Sequence, residues 1–153
     1  TINENQGYFN THPFTLKNFC FSHNGFIRNF NSKTREKIFK YLKPEYISLV
    51  KGRTDSELIF ILLIQIIEKE KKIGKSIKNT IKIIKENCDA CMLNFLIATF
   101  DKSGKNTLYA TKFSAGLKTP SLFYSKYKNE YTMAPRNFPE PSSFQGATKY
   151  VKH

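Results

Sequence analysis

The chain has 153 residues, 40% of them hydrophobic and 14% aromatic, which is enough for one packed domain and excludes both a disordered segment and a second independent core. Lysine and arginine number 25 against 12 acidic residues, a net +13, but the cations are mostly lysines spread beside isoleucine and asparagine, as at Lys75, Lys78, Lys82 and Lys85, so a composition bias explains the charge better than a nucleic-acid surface does. The longest apolar run, Leu58 to Ile67, is shorter than the ~18 residues of a bilayer crossing, and three cysteines cannot all pair with one another, so the expectation is a chain with no membrane partner in a reducing compartment, the cytoplasm.

Residues Thr1 to His12 are polar and lack an apolar period, so they read as a loop that something else must position, closed by Pro13. Phe14, Leu16, Phe19 and Phe21 alternate imperfectly with polar residues, the pattern of a half-buried strand. His23-Asn24-Gly25 is expected to end that strand in a tight turn, because Asn-Gly tolerates positive φ. Ile38, Phe39 and Leu42 at helical spacing predict a short helix over Thr34 to Leu42 that stops before Lys43-Pro44.

Thr54 and Glu57 form a Thr-x-x-Glu capping box, and Asp55 lies in the first turn, where the helix dipole favours a carboxylate. A helix therefore starts here. Its body, Leu58 to Ile67, is apolar nearly all round apart from Gln65, which predicts cover on both sides by a sheet and a neighbouring helix. Charged residues Glu68 to Lys72 end it. A second, amphipathic helix carries Ile73, Ile77, Ile81 and Ile84.

Beyond Cys88-Asp89-Ala90-Cys91 the pattern changes to strands, Met92 to Phe100 and Thr107 to Phe113, pairing as a hairpin around Ser103-Gly104. A second hairpin is expected from Leu122 to Tyr127 and Tyr131 to Ala134. Residues 135–153 read as an irregular tail behind a core of residues 1–134. The order strand, short helix, two long helices, strands is that of a layered α+β domain.

Cys-x-x-Cys at Cys88 and Cys91 has no second pair or histidine at a zinc-like spacing and lies at a helix end, so neither a metal nor a redox role is expected and no cofactor is implied. Cys20 lies inside the first strand and reads as a core residue. Asn24 and Gly25 offer an amide side chain and a backbone N–H that could meet at one developing oxyanion, as an acyl-transfer site requires. An Asn-Gly pair alone is more often only a turn.

Three blocks in order give that pair a context: Asn10-Thr11-His12-Pro13-Phe14, Phe21-Ser22-His23-Asn24-Gly25-Phe26-Ile27, and Gly52-Arg53-Thr54-Asp55-Ser56-Glu57-Leu58. In order and spacing they resemble the class II, N-terminal-nucleophile glutamine amidotransferases, and most of all the stand-alone branch that includes γ-glutamyl hydrolases of thiol metabolism. The resemblance implies an Ntn-hydrolase-like αββα four-layer sandwich, incomplete at its N-terminal end, and a glutamine or γ-glutamyl small molecule as partner. It implies that Asn24 and Gly25 form the oxyanion hole, that Asp55 receives the substrate α-amino group, and that Thr54 and His12 also bind the substrate. His12 and His23 would shape the pocket, since the family uses the nucleophile's own α-amino group as base, and Thr1 and Asn10 would line the glutamine site.

The family's N-terminal cysteine and its α-carboxylate-gripping arginine lie upstream of the His-Pro-Phe block and have no counterpart here. The chain is therefore expected to be a fragment, inactive as given, of a parent enzyme that cleaves a γ-amide through a cysteine thioester. Two alternatives stand beside this: a degenerate, non-catalytic binding protein of the same fold, and a nucleic-acid module built on Phe123-Tyr124-Ser125-Lys126-Tyr127-Lys128.

Overall fold

The computed structural model describes residues 7–100, 106–118, 123–127 and 130–134. A 3-10 turn at Tyr8–Asn10 leads into β1 (Phe14–Leu16) and β2 (Phe19–Ile27), followed by α1 (Ser32–Phe39), α2 (Pro44–Ile47), α3 (Asp55–Glu70), α4 (Ile73–Asn87), β3 (Cys91–Phe100), β4 (Asn106–Thr111), β5 (Ser114–Ala115), β6 (Phe123–Tyr127) and β7 (Glu130–Ala134). The first five strands form one antiparallel sheet in the order β1-β2-β3-β4, and β6 pairs with β7 separately. Strand β5 continues the β4 edge of β3 after a break at Lys112-Phe113, which the Phe113 carbonyl bridges by accepting from Leu93 N–H at 2.8 Å. None of the described helices is long and apolar enough to cross a membrane.

The predicted strand over Phe14 to Phe21 is two strands. Lys17, at φ 54°, turns the chain back on itself, so Leu16 pairs with Phe19 and Phe14 with Phe21. The expected turn at Asn24-Gly25 is absent. Strand β2 runs through both residues, paired with β3 from Phe19↔Thr99 to Ile27↔Cys91. Its central glycine is needed for space, because a Cβ on Gly25 would lie 1.9 Å from the Met92 carbonyl oxygen and 2.6 Å from His23 Nε2.

Alternation along β2 and β3 sends Phe21, His23 and Ile27, with Cys91, Leu93, Phe95 and Ile97, to the buried face against the helices. Helix α3 meets that face through Phe60, stacked on Phe21 at 5.2 Å between ring centroids, and Phe21 in turn lies 5.3 Å from Phe95. From Ser56 to Ile67 only Gln65 escapes full burial, since α4 covers the other side of α3 with Ile77, Ile81 and Ile84. Gln65 clamps the chain before α2: its carbonyl accepts from Lys43 N–H at 2.7 Å and its amide donates to Tyr41 O at 2.8 Å.

Helix α1 begins slightly before its predicted start, capped by Asn31, whose side chain accepts from Thr34 N–H at 3.0 Å. Helix α3 starts where the sequence places it, with the Thr54 hydroxyl accepting from Glu57 N–H at 3.3 Å. The second half of the capping box is not made. Glu57, 5% exposed, reaches past the cap and accepts from Lys51 N–H and Gly52 N–H, both at 2.7 Å.

Two charge-assisted bonds, one to the buried Gly52 and one to the exposed Lys51, make Glu57 the clamp of the loop before α3. Glu57→Ala is expected to lower stability by about 3 kcal/mol or more, since each such bond contributes about 1.5–3 kcal/mol. Glu57→Gln, keeping one acceptor oxygen, should lose roughly half as much. Urea denaturation of the two variants separates these outcomes.

Candidate active site

Strand β1 ends its pairing with β2 at Phe21, so among the described residues β2 from Ser22 to Ile27 has a strand partner on its β3 side only. Backbone N–H groups of an antiparallel strand point to its two edges in turn. Arg28 N–H donates to Ala90 O at 2.9 Å, on the β3 side, whereas Ile27 N–H turns the other way and donates to Asp55 Oδ2 at 2.7 Å. By the same alternation the Gly25 N–H, two residues back, projects to the edge that β1 leaves uncovered. Asn24 beside it is exposed, its side chain on the sheet face turned away from the helices.

Asp55 reaches this edge because it is the first residue of α3, which Thr54 and Glu57 hold at its N-terminus. A carboxylate has about four acceptor positions. Ile27 N–H occupies one and the Ser56 hydroxyl lies 3.3 Å from Oδ1, so the partly exposed group keeps capacity for a further donor.

His23 is buried beneath the same stretch of β2. Its Nε2 lies 3.1 Å from Met92 O and its Nδ1 2.9 Å from Ser56 Oγ. A carbonyl only accepts, so Nε2 carries the proton and Nδ1 accepts from the Ser56 hydroxyl. That hydroxyl has one proton to place, and the shorter contact gives it to the ring rather than to Asp55. Both ring nitrogens are thus committed to the protein, which leaves the imidazole no free lone pair for general-base work.

Burial holds the His23 pKa below its ordinary 6.5, against the opposing pull of Asp55 and of the Met92 hydrogen bond. Above pH ~6.5 folded and unfolded imidazoles are both neutral, and this group adds no pH dependence. Below it the unfolded chain takes up a proton that folded His23 resists, so stability falls as pH drops from 6.5 toward the depressed folded value. Melting temperatures between pH 7.5 and 5 should show this decline, and His23→Asn should flatten it.

His12 is exposed, its ring edge-on to Phe14 at 4.9 Å, and close enough to feel both His23 and Asp55. Partial desolvation lowers its pKa, His23 adds to that effect and Asp55 opposes it. The loop carrying His12 is positioned by Asn10, whose side-chain oxygen accepts from Arg53 N–H at 2.9 Å. Gly52 makes that approach possible, since a Cβ there would lie 2.2 Å from Asn10 Oδ1.

The structure therefore gathers Asn24, Gly25, His12 and Asp55 at one edge of β2, while the Thr54 hydroxyl serves as a helix cap. Thr1, the Ser103-Gly104 turn, residues 135–153 and the side chains of the basic-aromatic stretch lie outside the described residues. Cys88 and Cys91 hydrogen-bond to each other, which raises the Cys88 pKa and lowers that of Cys91, and no group of three potential metal ligands occurs among the described residues.

Sequence reasoning missed two polar side chains. Ser56 was visible only as a letter inside a motif. Asn94 interrupts the apolar run of β3, and that interruption was its one signal.

One short stretch thus holds a strand edge with no strand partner among the described residues, an asparagine beside it and a carboxylate at a helix start. Residues 3–107 match the family model described as glutamine amidotransferases class-II, and the chain belongs to that family. It is 43% identical over 60 residues to the Saccharomyces cerevisiae protein named probable glutamine amidotransferase DUG3, an alignment covering 39% of this chain and 16% of that relative. It resembles the solved glutamine aminotransferase class-II domain protein of Silicibacter pomeroyi with a TM-score of 0.60 at 26% identity, over 80% of this chain and 56% of that one. The chain thus spans about a sixth of the yeast relative's length and just over half of the solved chain's. The Ntn-type α+β fold expected from the sequence agrees with this likeness.

Proposed function

We propose that this chain supplies the oxyanion and α-amino subsites of an enzyme that hydrolyses the γ-amide of glutamine or of a γ-glutamyl small molecule. One observation carries the reading: the Gly25 N–H projects to a strand edge with no strand partner among the described residues, two residues from the backbone amide that anchors Asp55, with the Asn24 side chain on the adjoining sheet face.

In this reading a cysteine thiolate at the family's N-terminal position adds to the side-chain carbonyl carbon. The oxygen becomes an oxyanion that accepts from Gly25 N–H and Asn24 Nδ2. Collapse expels ammonia, which leaves with the proton that the nucleophile's α-amino group took from the thiol, and a thioester remains. Water then adds to the thioester, passes through the same oxyanion and releases the free γ-carboxylic acid with the thiol. Asp55 holds the substrate ammonium by a charge-assisted bond.

None of the chain's own cysteines fits the nucleophile's place. Cys20 is inside β2, and Cys88 and Cys91 lie at the junction of α4 and β3. The test is ammonia release from glutamine and from γ-glutamyl dipeptides by the complete protein. Turnover that an N-terminal Cys→Ala change abolishes is the expected result. Full-length protein that binds these compounds without releasing ammonia would make the chain a binding relative instead.

A further inference from the structure

Asn94 is a residue for which stability offers no reason. It is 3% exposed, and neither Nδ2 nor Oδ1 has a hydrogen-bond partner among the described residues. A buried polar group left unpaired costs about 1–3 kcal/mol, whereas an apolar side chain of similar shape can be neutral or stabilising there. Its neighbours on the same sheet face, Met92 and Leu96, are apolar and partly buried, so a leucine would suit the position better.

Asn94 pairs directly with Asn24 across the β2–β3 ladder. Opposed residues of an antiparallel pair point to the same face with Cβ atoms about 4.5–5.5 Å apart, within reach of one hydrogen bond between two short carboxamides. Asn24 is the exposed member and Asn94 the buried one.

Building on the proposed oxyanion site, we infer that Asn94 is a positioning residue that holds the Asn24 carboxamide with its nitrogen toward the reacting carbonyl. The two carboxamides are not bonded to each other in the structure, and rotation of the exposed Asn24 side chain lets Asn94 Oδ1 accept one Asn24 Nδ2 proton, which gives that orphaned oxygen its partner. The second Asn24 N–H stays free and is aimed at the oxyanion. A free asparagine at an exposed position has no such preference and presents its oxygen, which repels an oxyanion, about as readily as its nitrogen.

The test is a kinetic double-mutant cycle in the complete protein. Asn94→Ala is expected to lower kcat about 10- to 100-fold, up to the 10²–10³ that one whole oxyanion donor supplies, with KM within about twofold of wild type. In an Asn24→Ala background the same change should have no further effect, because its route through Asn24 is gone. Asn94→Leu should lose as much kcat while melting no lower than wild type.

Unchanged kcat in Asn94→Ala, an effect confined to KM, losses that multiply in the double variant, or an Asn94→Leu protein that melts several degrees lower would each overturn the inference while leaving the site reading intact. A wild-type protein that turns over no γ-glutamyl amide would overturn both together.

Discussion

Asp55→Ala in the complete protein is expected to raise KM for glutamine about 10- to 150-fold, the equivalent of the 1.5–3 kcal/mol that a hydrogen bond to a charged group contributes. The substrate ammonium has no other role in the chemistry of the distant amide, so kcat should change much less. Stability should also suffer, because the buried Ile27 loses the acceptor of its N–H. Leaving that donor unpaired costs about 1–3 kcal/mol. Asp55→Asn separates the two contributions. The amide oxygen still accepts from Ile27 N–H, so the melting temperature should stay near wild type while KM rises with the lost charge. Unchanged KM and kcat in both variants would remove Asp55 from the substrate site.

Gly25→Ala should damage the protein more than any change at the site surface. A methyl group would have to lie 1.9 Å from the Met92 carbonyl oxygen and 2.6 Å from His23 Nε2. Of these only the ring can move, and it is held at both nitrogens. The backbone of β2 must therefore separate from β3, which breaks the ladder at Gly25↔Leu93 and shifts the N–H proposed for the oxyanion. The expected destabilisation is about 3 kcal/mol or more, at the upper end of overpacking effects, with loss of activity even in the fraction that folds. Gly74→Ala in α4 is the control. Nothing lies within 4 Å of its Cβ position, and alanine is the better helix former, so stability should rise by about 0.5–1 kcal/mol. Chemical denaturation of the two variants is expected to give stability changes of opposite sign.

The elements most legible in the sequence were those whose signal is local. Thr54 marked the start of α3 because a hydroxyl three residues before a free helix N–H is a short-range device. The isoleucine spacing of α4 and the apolar run of α3 announced their burial, since a helix periodicity is written every three or four residues. The β3–β4 pairing followed from two apolar runs separated by polar residues.

The errors fell where a residue serves a partner far away in sequence. Asn24-Gly25 carries a turn signature, and its real use is close approach to Met92, 67 residues beyond Gly25. Lys17, with no glycine or proline to announce it, makes the actual turn because the pairing of Phe14 with Phe21 demands one there. Glu57 fits a capping box but finds two stronger donors at Lys51 and Gly52.

The order and spacing of the three blocks determined the family, the fold and the identity of the candidate residues, because the catalytic requirements of an acyl-transfer site restrict residue types at each point of the chain. What only the tertiary structure decided is how those residues meet. It set which edge of β2 the Gly25 N–H faces, the tie between Asp55 and Ile27, the commitment of both His23 nitrogens, and the burial of Asn94 opposite Asn24. Each depends on strand register and helix docking, which arise from contacts between distant segments and leave no periodic trace in either one.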